Sequence, residues 1–187
     1  PFVFRGKAAV GQRPMSLRLK VFTVPGQVLH ASTRRLVLQG ADGVAFVADA
    51  QTSATQANAA SFVDLRENLH KLGHTMASLP LVIQFNKCDL PGARSPSELR
   101  ALALRGREPV FAASAIQGEG VLETFFALLH VTWVRLEKEH QLARMVGVQP
   151  GAFVSLAATQ MGYSGNIDEL LARGVGRPLE SLGGEGR

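Results

Sequence analysis

Apolar runs of strand length alternate with helical patterns along this 187-residue chain. The runs are rich in Val, Leu, Ile, Phe and Ala, and the segments between them carry apolar residues three and four positions apart. Strands that are apolar on both faces belong to a parallel sheet that helices cover on each side. The pattern therefore predicts a doubly wound, mostly parallel α/β domain. The predicted strands are residues 17–24, 44–49, 81–86 and 110–113, and the predicted helices are residues 31–39, 56–72, 97–104 and 121 to about 145.

The two ends of the chain differ from its middle. Residues 2–4 read as a strand, and residues 17–24 are expected to pair with it in antiparallel fashion through a turn near Gly11. Gly and small residues accumulate towards the C-terminus. We therefore expect one partial domain over residues 1–148 and a partly disordered tail over residues 149–187. Within that tail, Asn166 and Glu169 predict the capping box of a short helix.

Composition excludes several classes of protein. The formal net charge is +5, but the arginines are scattered and no Lys/Arg block reaches five residues, so nucleic-acid binding is not expected. No apolar stretch approaches the roughly 20 residues that cross a bilayer, and the N-terminus lacks a signal-peptide pattern. The single cysteine, Cys88, cannot form an internal disulfide. We therefore expect a cytoplasmic protein.

The motif Asn86-Lys87-Cys88-Asp89 follows the predicted strand 81–86. The Asp89 carboxylate can accept two charge-assisted hydrogen bonds from the ring N–H and the exocyclic amino group of guanine, and adenine has no matching pair of donors. Losing two such bonds at roughly 1.5 to 3 kcal/mol each disfavours ATP by about two to four orders of magnitude. The motif predicts a guanine-binding edge, and the alternative is an ordinary polar loop after a strand.

Three further motifs end predicted strands, where open parallel sheets bind their ligands. Pro25-Gly26-Gln27 taken alone is a turn, and Ser114-Ala115 taken alone is a helix cap. Asp49 is predicted to cap the loop that follows it rather than to bind a metal. Together with residues 86–89, the motifs at 23–27 and 113–115 have the order and separation typical of a Ras-like GTPase.

The chain resembles the bacterial gliding-motility GTPases, which are Ras-like switch proteins. The resemblance extends over roughly residues 2–140, and Thr23, where most small GTPases carry aspartate, is typical of the gliding-motility group. It implies a Ras-like P-loop NTPase fold and a function as a GTP-binding and GTP-hydrolysing switch of motility or cell polarity. The segments that carry it are residues 22–28, 43–49, 65–69 and 86–91.

The resemblance also implies roles for individual residues, with GTP or GDP and Mg²⁺ as cofactors. Gly26 is expected to approach the terminal phosphate through its backbone, and Gln27, the expected catalytic residue, to orient the attacking water. Thr23 is expected to face hydrated magnesium through water, although a buried strand threonine is an equal alternative. The residues expected to hold the base, besides Asp89, are Asn86, Lys87, Ser114 and Ala115, the last through its backbone N–H on the guanine carbonyl oxygen.

The partners that the resemblance implies are a roadblock-domain GTPase-activating protein and motility or polarity effectors, with recruitment to a cell pole. The helix predicted over residues 31–39 follows Gln27 and carries Arg34 and Arg35. These arginines are a candidate partner surface, and a solvated helix face is the alternative.

One segment that this chemistry requires is missing from the 187 residues. Ras-like GTPases hold the phosphates with Gly-x4-Gly-Lys-Ser/Thr after their first strand. Here Gly6-Lys7 is followed by Ala8, and the required first glycine would fall at Pro1. We expect an N-terminally truncated GTPase that lacks the first strand and the phosphate loop and is inactive alone. The alternative is a nucleotide-free Ras-like scaffold for protein interactions.

Overall fold

A computed structural model describes residues 2–5, 16–24, 31–143, 148 and 150–176. A 3-10 turn, Thr52–Ala54, precedes the second helix. The strands and helices in chain order are β1 (Phe2–Arg5), β2 (Ser16–Leu19), α1 (Ala31–Gln39), β3 (Val44–Asp49), α2 (Thr55–Lys71), β4 (Leu81–Asn86), α3 (Pro96–Ala103), β5 (Val110–Ala112), α4 (Val121–His140), α5 (Pro150–Gln160) and α6 (Ile167–Leu171).

Strands β3, β4 and β5 form the parallel sheet that the sequence predicts. The register places Asp49 opposite Asn86 and Phe85 opposite Ala112. Because the strands run the same way, the loops that follow them meet at one edge of the sheet. The α/β class and the parallel arrangement are confirmed, and the parallel sheet of the described residues has three strands.

Helices cover both faces of this sheet. Leu81 packs with Leu65 of α2, whereas its neighbour Val82 packs with Phe111 of β5 and Ala127 of α4. Successive side chains of a strand point to opposite faces, so one apolar run supplies both clusters. This is why the strands are apolar throughout instead of alternating with polar residues.

The N-terminal strands pair as expected, but β2 is shorter than expected. Strand β1 is antiparallel to β2, with Phe2 opposite Leu19. The prediction of a strand over residues 17–24 is wrong beyond Leu19. Among the described strands none pairs with residues 20–24, so these residues lack the hydrogen-bonded neighbour that a strand needs. Residues 20–24 are irregular, and Val21 and Phe22 are 66% and 65% exposed.

The N-cap of α3 is Ser95, so α3 begins at Pro96, one residue before the predicted start at residue 97. The Ser95 hydroxyl accepts the backbone N–H of Glu98, and the Glu98 carboxylate accepts the backbone N–H of Ser95. Pro96 stands at the first helical position, where its fixed φ suits a helix start. The spacing Ser-x-x-Glu identifies residue 95 as the cap.

Helix α4 ends earlier than predicted, at His140. Gln141 adopts the left-handed conformation with φ of 54°, which stops the helix. The predicted end near Met145 lies outside the described residues. Of the described helices, none is long and apolar enough to span a membrane.

Helix α5 was not predicted at all. Phe153, Val154, Ala157 and Ala158 lie on one face of it and are buried against α4, where the Phe153 ring stacks on Trp133 at 3.9 Å. The last three of these residues follow Phe153 by one, four and five positions, which is a spacing typical of one helix face. The glycine and small residues around them made this pattern hard to recognise from the sequence.

Asn166 is the N-cap of helix α6, as predicted. The Asn166 side-chain oxygen accepts the backbone N–H groups of Asp168 and Glu169. The Glu169 carboxylate accepts from the Asn166 side-chain amide, so the reciprocal bond of a capping box goes to the side chain. The predicted boundary at residues 148 and 149 stays a prediction, and residues 177–187 lie outside the described part of the chain.

Candidate functional site

The loops after β4 and β5 are joined by hydrogen bonds at the carboxyl edge of the sheet. The backbone N–H of Cys88 donates to the carbonyl oxygen of Ala113 at 3.0 Å, and the hydroxyl of Ser114 donates to Oδ1 of Asp89 at 2.6 Å. The parallel register makes these contacts possible, because the two strands end side by side. Two segments 25 residues apart in sequence therefore form one surface.

Asp89 is exposed, but its carboxylate is held in place. Ser114, which donates to it, is only 2% exposed, so the anchor itself is fixed by burial. Among the described residues, Oδ2 of Asp89 accepts no hydrogen bond, and Oδ1 keeps a second lone pair. The arrangement offers two acceptor positions to a ligand that carries two adjacent donors.

Asn86 and Ala115 form a second link across the same edge. The side-chain oxygen of Asn86 accepts the backbone N–H of Ala115 at 2.9 Å. This is the N–H that the resemblance to gliding-motility GTPases implies for a guanine carbonyl oxygen. A ligand carbonyl at this position would replace the Asn86 amide as acceptor or share the N–H with it.

The loop from Ser114 to Gly120 is closed by backbone contacts. The backbone N–H of Ser114 donates to the carbonyl oxygen of Glu119 at 3.0 Å, and the Glu119 N–H donates back at 3.1 Å. Gly120 follows with φ of 73°, and a Cβ there would collide with the backbone of Ala112 and Ala113. A side chain at this position would force the neighbouring backbone to move, so glycine lets the loop that carries Ser114 and Ala115 close against the end of β5.

Lys87 and Asp49 form an ion pair beside this surface. Nζ of Lys87 lies 2.6 Å from Oδ2 of Asp49, and the backbone of Lys87 is left-handed with φ of 66°. Oδ1 of Asp49 accepts the backbone N–H of Gln51 at 2.9 Å, which confirms the predicted loop cap. The hydrogen bond from Lys87, with that from Gln51, lowers the pKa of Asp49 below its usual value.

A small cavity lies beside the Asp89–Ser114 pair. Its volume is about 210 Å³, and Cys88, Gln117 and Glu119 line it together with the pair. Typical small-molecule sites enclose roughly 300–1,000 Å³, so this cavity suits part of a ligand and not a whole nucleotide.

The remaining predicted residues precede α1 or lie on it. Thr23 is exposed in the irregular segment after β2, and Gly26 and Gln27 lie outside the described residues. Of the two arginines on α1, Arg35 is exposed, and nothing is described of the Arg34 side chain.

Magnesium takes hard oxygen ligands. No group of three or more His, Cys, Asp or Glu residues within the described ranges could hold a metal ion. Thr23, the predicted outer ligand, offers only an exposed hydroxyl.

Sequence reasoning missed the contact between Asp49 and Lys87. Both residues were identified, one as a loop cap and the other as a base contact, but they are 38 residues apart. The available signal was their position at the ends of two predicted neighbouring strands, which places them side by side once the register is known.

Comparison with known proteins tests the resemblance to the gliding-motility GTPases. No protein-family model matches the chain. Over 126 residues the chain is 40% identical to the "Mutual gliding-motility protein MglA" of Myxococcus xanthus (strain DK1622). The match covers 67% of this chain and 65% of that protein, so the chain spans just under two thirds of the relative's length. The predicted resemblance is confirmed, and the chain is a homologue of the gliding-motility protein MglA.

Proposed function

We propose that the carboxyl edge of β4 and β5 binds guanine, as part of a GTP-dependent molecular switch of gliding motility or cell polarity. The observation that carries the proposal is the Asp89 carboxylate, which Ser114 holds at 2.6 Å while its second oxygen stays open. Homology to MglA supports the motility assignment.

The chemistry of guanine matches three groups on this edge. Its ring N–H and exocyclic amino group are adjacent donors, and the two oxygens of Asp89 accept them as charge-assisted hydrogen bonds. Its carbonyl oxygen accepts the backbone N–H of Ala115, in exchange for or alongside the Asn86 side chain. Adenine presents an amino group in place of that carbonyl and lacks the ring N–H, so it fails on both sides.

The fixed geometry of the edge contributes to affinity. Asn86, Asp89, Ser114 and Ala115 are already hydrogen-bonded to one another across the two loops. A ligand therefore does not have to order these groups when it binds, which lowers the entropic cost of binding.

Hydrolysis and phosphate binding belong to the proposal through homology. Gln27 is proposed to orient the attacking water, and Gly26 to contact the terminal phosphate. Mg²⁺ and the phosphates of GTP would be held mainly by groups other than the described residues, and Thr23 would contribute at most through water. The 187 residues contain no Gly-x4-Gly-Lys-Ser/Thr motif. Base recognition is therefore the part of the function that this chain's own described residues explain.

The cellular role is proposed on the same homology. The chain would act in the cytoplasm, be recruited to a cell pole, and respond to a roadblock-type GTPase-activating protein and to motility effectors. The exposed Arg35 on α1 is a candidate contact for the activating protein.

Titration with nucleotides that differ only at the base edge tests the proposal. NMR titration of the 187-residue chain with GDP, IDP and ADP is expected to rank them in that order. IDP lacks the exocyclic amino group, so losing one charge-assisted bond of roughly 1.5 to 3 kcal/mol weakens it by about 10- to 150-fold. Asp89→Ala should remove the difference between GDP and IDP, and Asp89→Asn should favour XDP, whose second carbonyl accepts from an amide.

Glu119→Gln is the matched control. Glu119 is an exposed carboxylate that lines the same cavity. Replacing it by glutamine removes one negative charge, as Asp89→Asn does, but removes no proposed contact with the base. This variant should keep the GDP preference. Equal affinity for GDP, IDP and ADP in the unmodified chain, or no binding of any of them, would favour the nucleotide-free scaffold.

A further inference from the structure

Every polar group of Asp49 is hydrogen-bonded. Its backbone N–H donates to the Asn58 side-chain oxygen at 3.0 Å, and its carbonyl oxygen accepts from the Asn58 side-chain nitrogen at 2.8 Å. Its carboxylate accepts from the Gln51 backbone at one oxygen and from Lys87 at the other. Asn58 belongs to α2, so a helix, a turn and a neighbouring loop all fix this one residue.

The side chain of Lys87 runs back across the end of the sheet. Asp49 and Asn86 are register partners on β3 and β4, and Lys87 is the next residue along. Neighbouring strands lie about 4.8 Å apart. The lysine reaches Asp49, so its methylene stem crosses the gap between the two strand ends. The left-handed backbone of Lys87, with φ of 66°, is rare for a residue with a side chain and sets this direction.

We propose that Asp49 is a positioning residue of the guanine-binding edge, which holds the Lys87 side chain across the strand ends as an apolar surface for the face of the base. This inference rests on the proposed function, because it names a residue that acts on the same site through Lys87. Asp49 itself is not assigned any contact with the nucleotide.

The physical reason is pre-ordering of a flexible side chain. A lysine side chain loses rotamer freedom when a ligand packs against it. Here the ammonium group is already held at 2.6 Å, while the side chain stays 51% exposed and accessible to a ligand. The methylene stem can therefore contact a planar ring without paying that ordering cost again.

Exposed ion pairs are weak, so the expected effect is modest. Asp49→Asn keeps an oxygen for the Gln51 N–H but loses the charge that holds the ammonium. We expect GDP affinity to fall about two- to fivefold. The contact is with the ring face and not with the amino group, so IDP affinity should fall by the same factor. The ratio of GDP to IDP affinity should not change.

A double-mutant cycle with Lys87→Met tests the route of this effect. The methionine keeps an apolar stem without the ammonium group, so Asp49→Asn should have no further effect on GDP affinity in that background. The rate of Lys87 acylation, measured by mass spectrometry, should rise in Asp49→Asn because the amine is released. Glu98→Gln is the control, since Glu98 also accepts hydrogen bonds in the folded chain but caps α3. It should change neither nucleotide affinity nor Lys87 acylation.

The possible results separate this inference from the proposed function. The inference would be overturned if Asp49→Asn left GDP affinity unchanged, or if it lowered GDP affinity by the same factor in the Lys87→Met background as in the native chain. Either result would leave the proposed guanine recognition intact. A changed ratio of GDP to IDP affinity would also overturn it, because Asp49 would then act on the edge that Asp89 reads. Failure of the unmodified chain to bind GDP would remove both.

Discussion

Replacing Phe153 by alanine should destabilise the whole domain. Phe153 is 4% exposed, and its ring stacks on Trp133 with centroids 3.9 Å apart and planes 14° apart. Truncating a buried phenylalanine costs about 3–5 kcal/mol through lost burial and the cavity that remains. The free energy of unfolding of a folded domain is about 5–15 kcal/mol, so this loss is a large share of the total stability.

Urea unfolding followed by two probes measures the effect. Trp133 is the single tryptophan of the chain, and its buried indole N–H has no partner among the described residues. Its emission therefore reports on this contact, and the emission of Phe153→Ala should shift to longer wavelength as water enters. Far-UV circular dichroism should show the same loss of stability, because α5 shares a core with α4.

A neighbour on the same helix serves as the control. Leu156 is 46% exposed, so Leu156→Ala should cost well under half as much and leave the emission unchanged. A cost below about 1 kcal/mol for Phe153→Ala, far short of a buried ring, would refute the packing of α5 on α4. The packing of α5 on α4 would also be refuted if tryptophan emission and far-UV circular dichroism gave unfolding transitions at different urea concentrations.

Three further outcomes follow from the structure. Gly120→Ala should lower the unfolding free energy by several kcal/mol or prevent folding, because its Cβ would collide with the end of β5 and φ at this position is 73°. Gly118 has φ of 77° but open space around it, so Gly118→Ala should lower the unfolding free energy by only about 1–2 kcal/mol in chemical denaturation. Ser95→Ala should lower the unfolding free energy by about 1 kcal/mol through the lost cap, while Ser97→Ala should change it by less than about 0.5 kcal/mol, and equal effects would contradict the cap assignment. The pKa of Asp49 is lower in the folded chain than in the unfolded chain, where it is about 3.9, so the ionised carboxylate stabilises the fold above that pH. This stabilisation is lost as the pH falls through the folded pKa. The difference in unfolding free energy between the native chain and Asp49→Asn, measured in urea titrations, should therefore shrink between pH 7 and about pH 3.

Much of the fold could be predicted because its signals are local. The strand 44–49 and the helix 31–39 have the bounds that their apolar spacing indicates. The failures are places where a neighbour decided the outcome. Residues 20–24 are irregular because no described strand pairs with them, and α5 forms where α4 offers an apolar surface. Neither partner could be read from the segment itself.

The candidate site divides in the same way. Asn86, Lys87 and Asp89 could be identified because their motif is contiguous and ends a strand. The hydrogen bond from Ser114 to Asp89 joins two loops, and its existence depends on the register of β4 and β5. Spacing along the chain predicted that both loops would lie at one edge, but not which atoms would meet.

The amino-acid sequence by itself determined the α/β class, the motif Asn86-Lys87-Cys88-Asp89 and the likeness to gliding-motility proteins, because periodicity and contiguous motifs are properties of short segments. Only the tertiary structure decided that Lys87 is held by Asp49 and that α5 and α6 pack on α4. Those contacts join residues far apart in sequence, and they form only when strand register and helix packing bring the two partners within a few ångströms of each other.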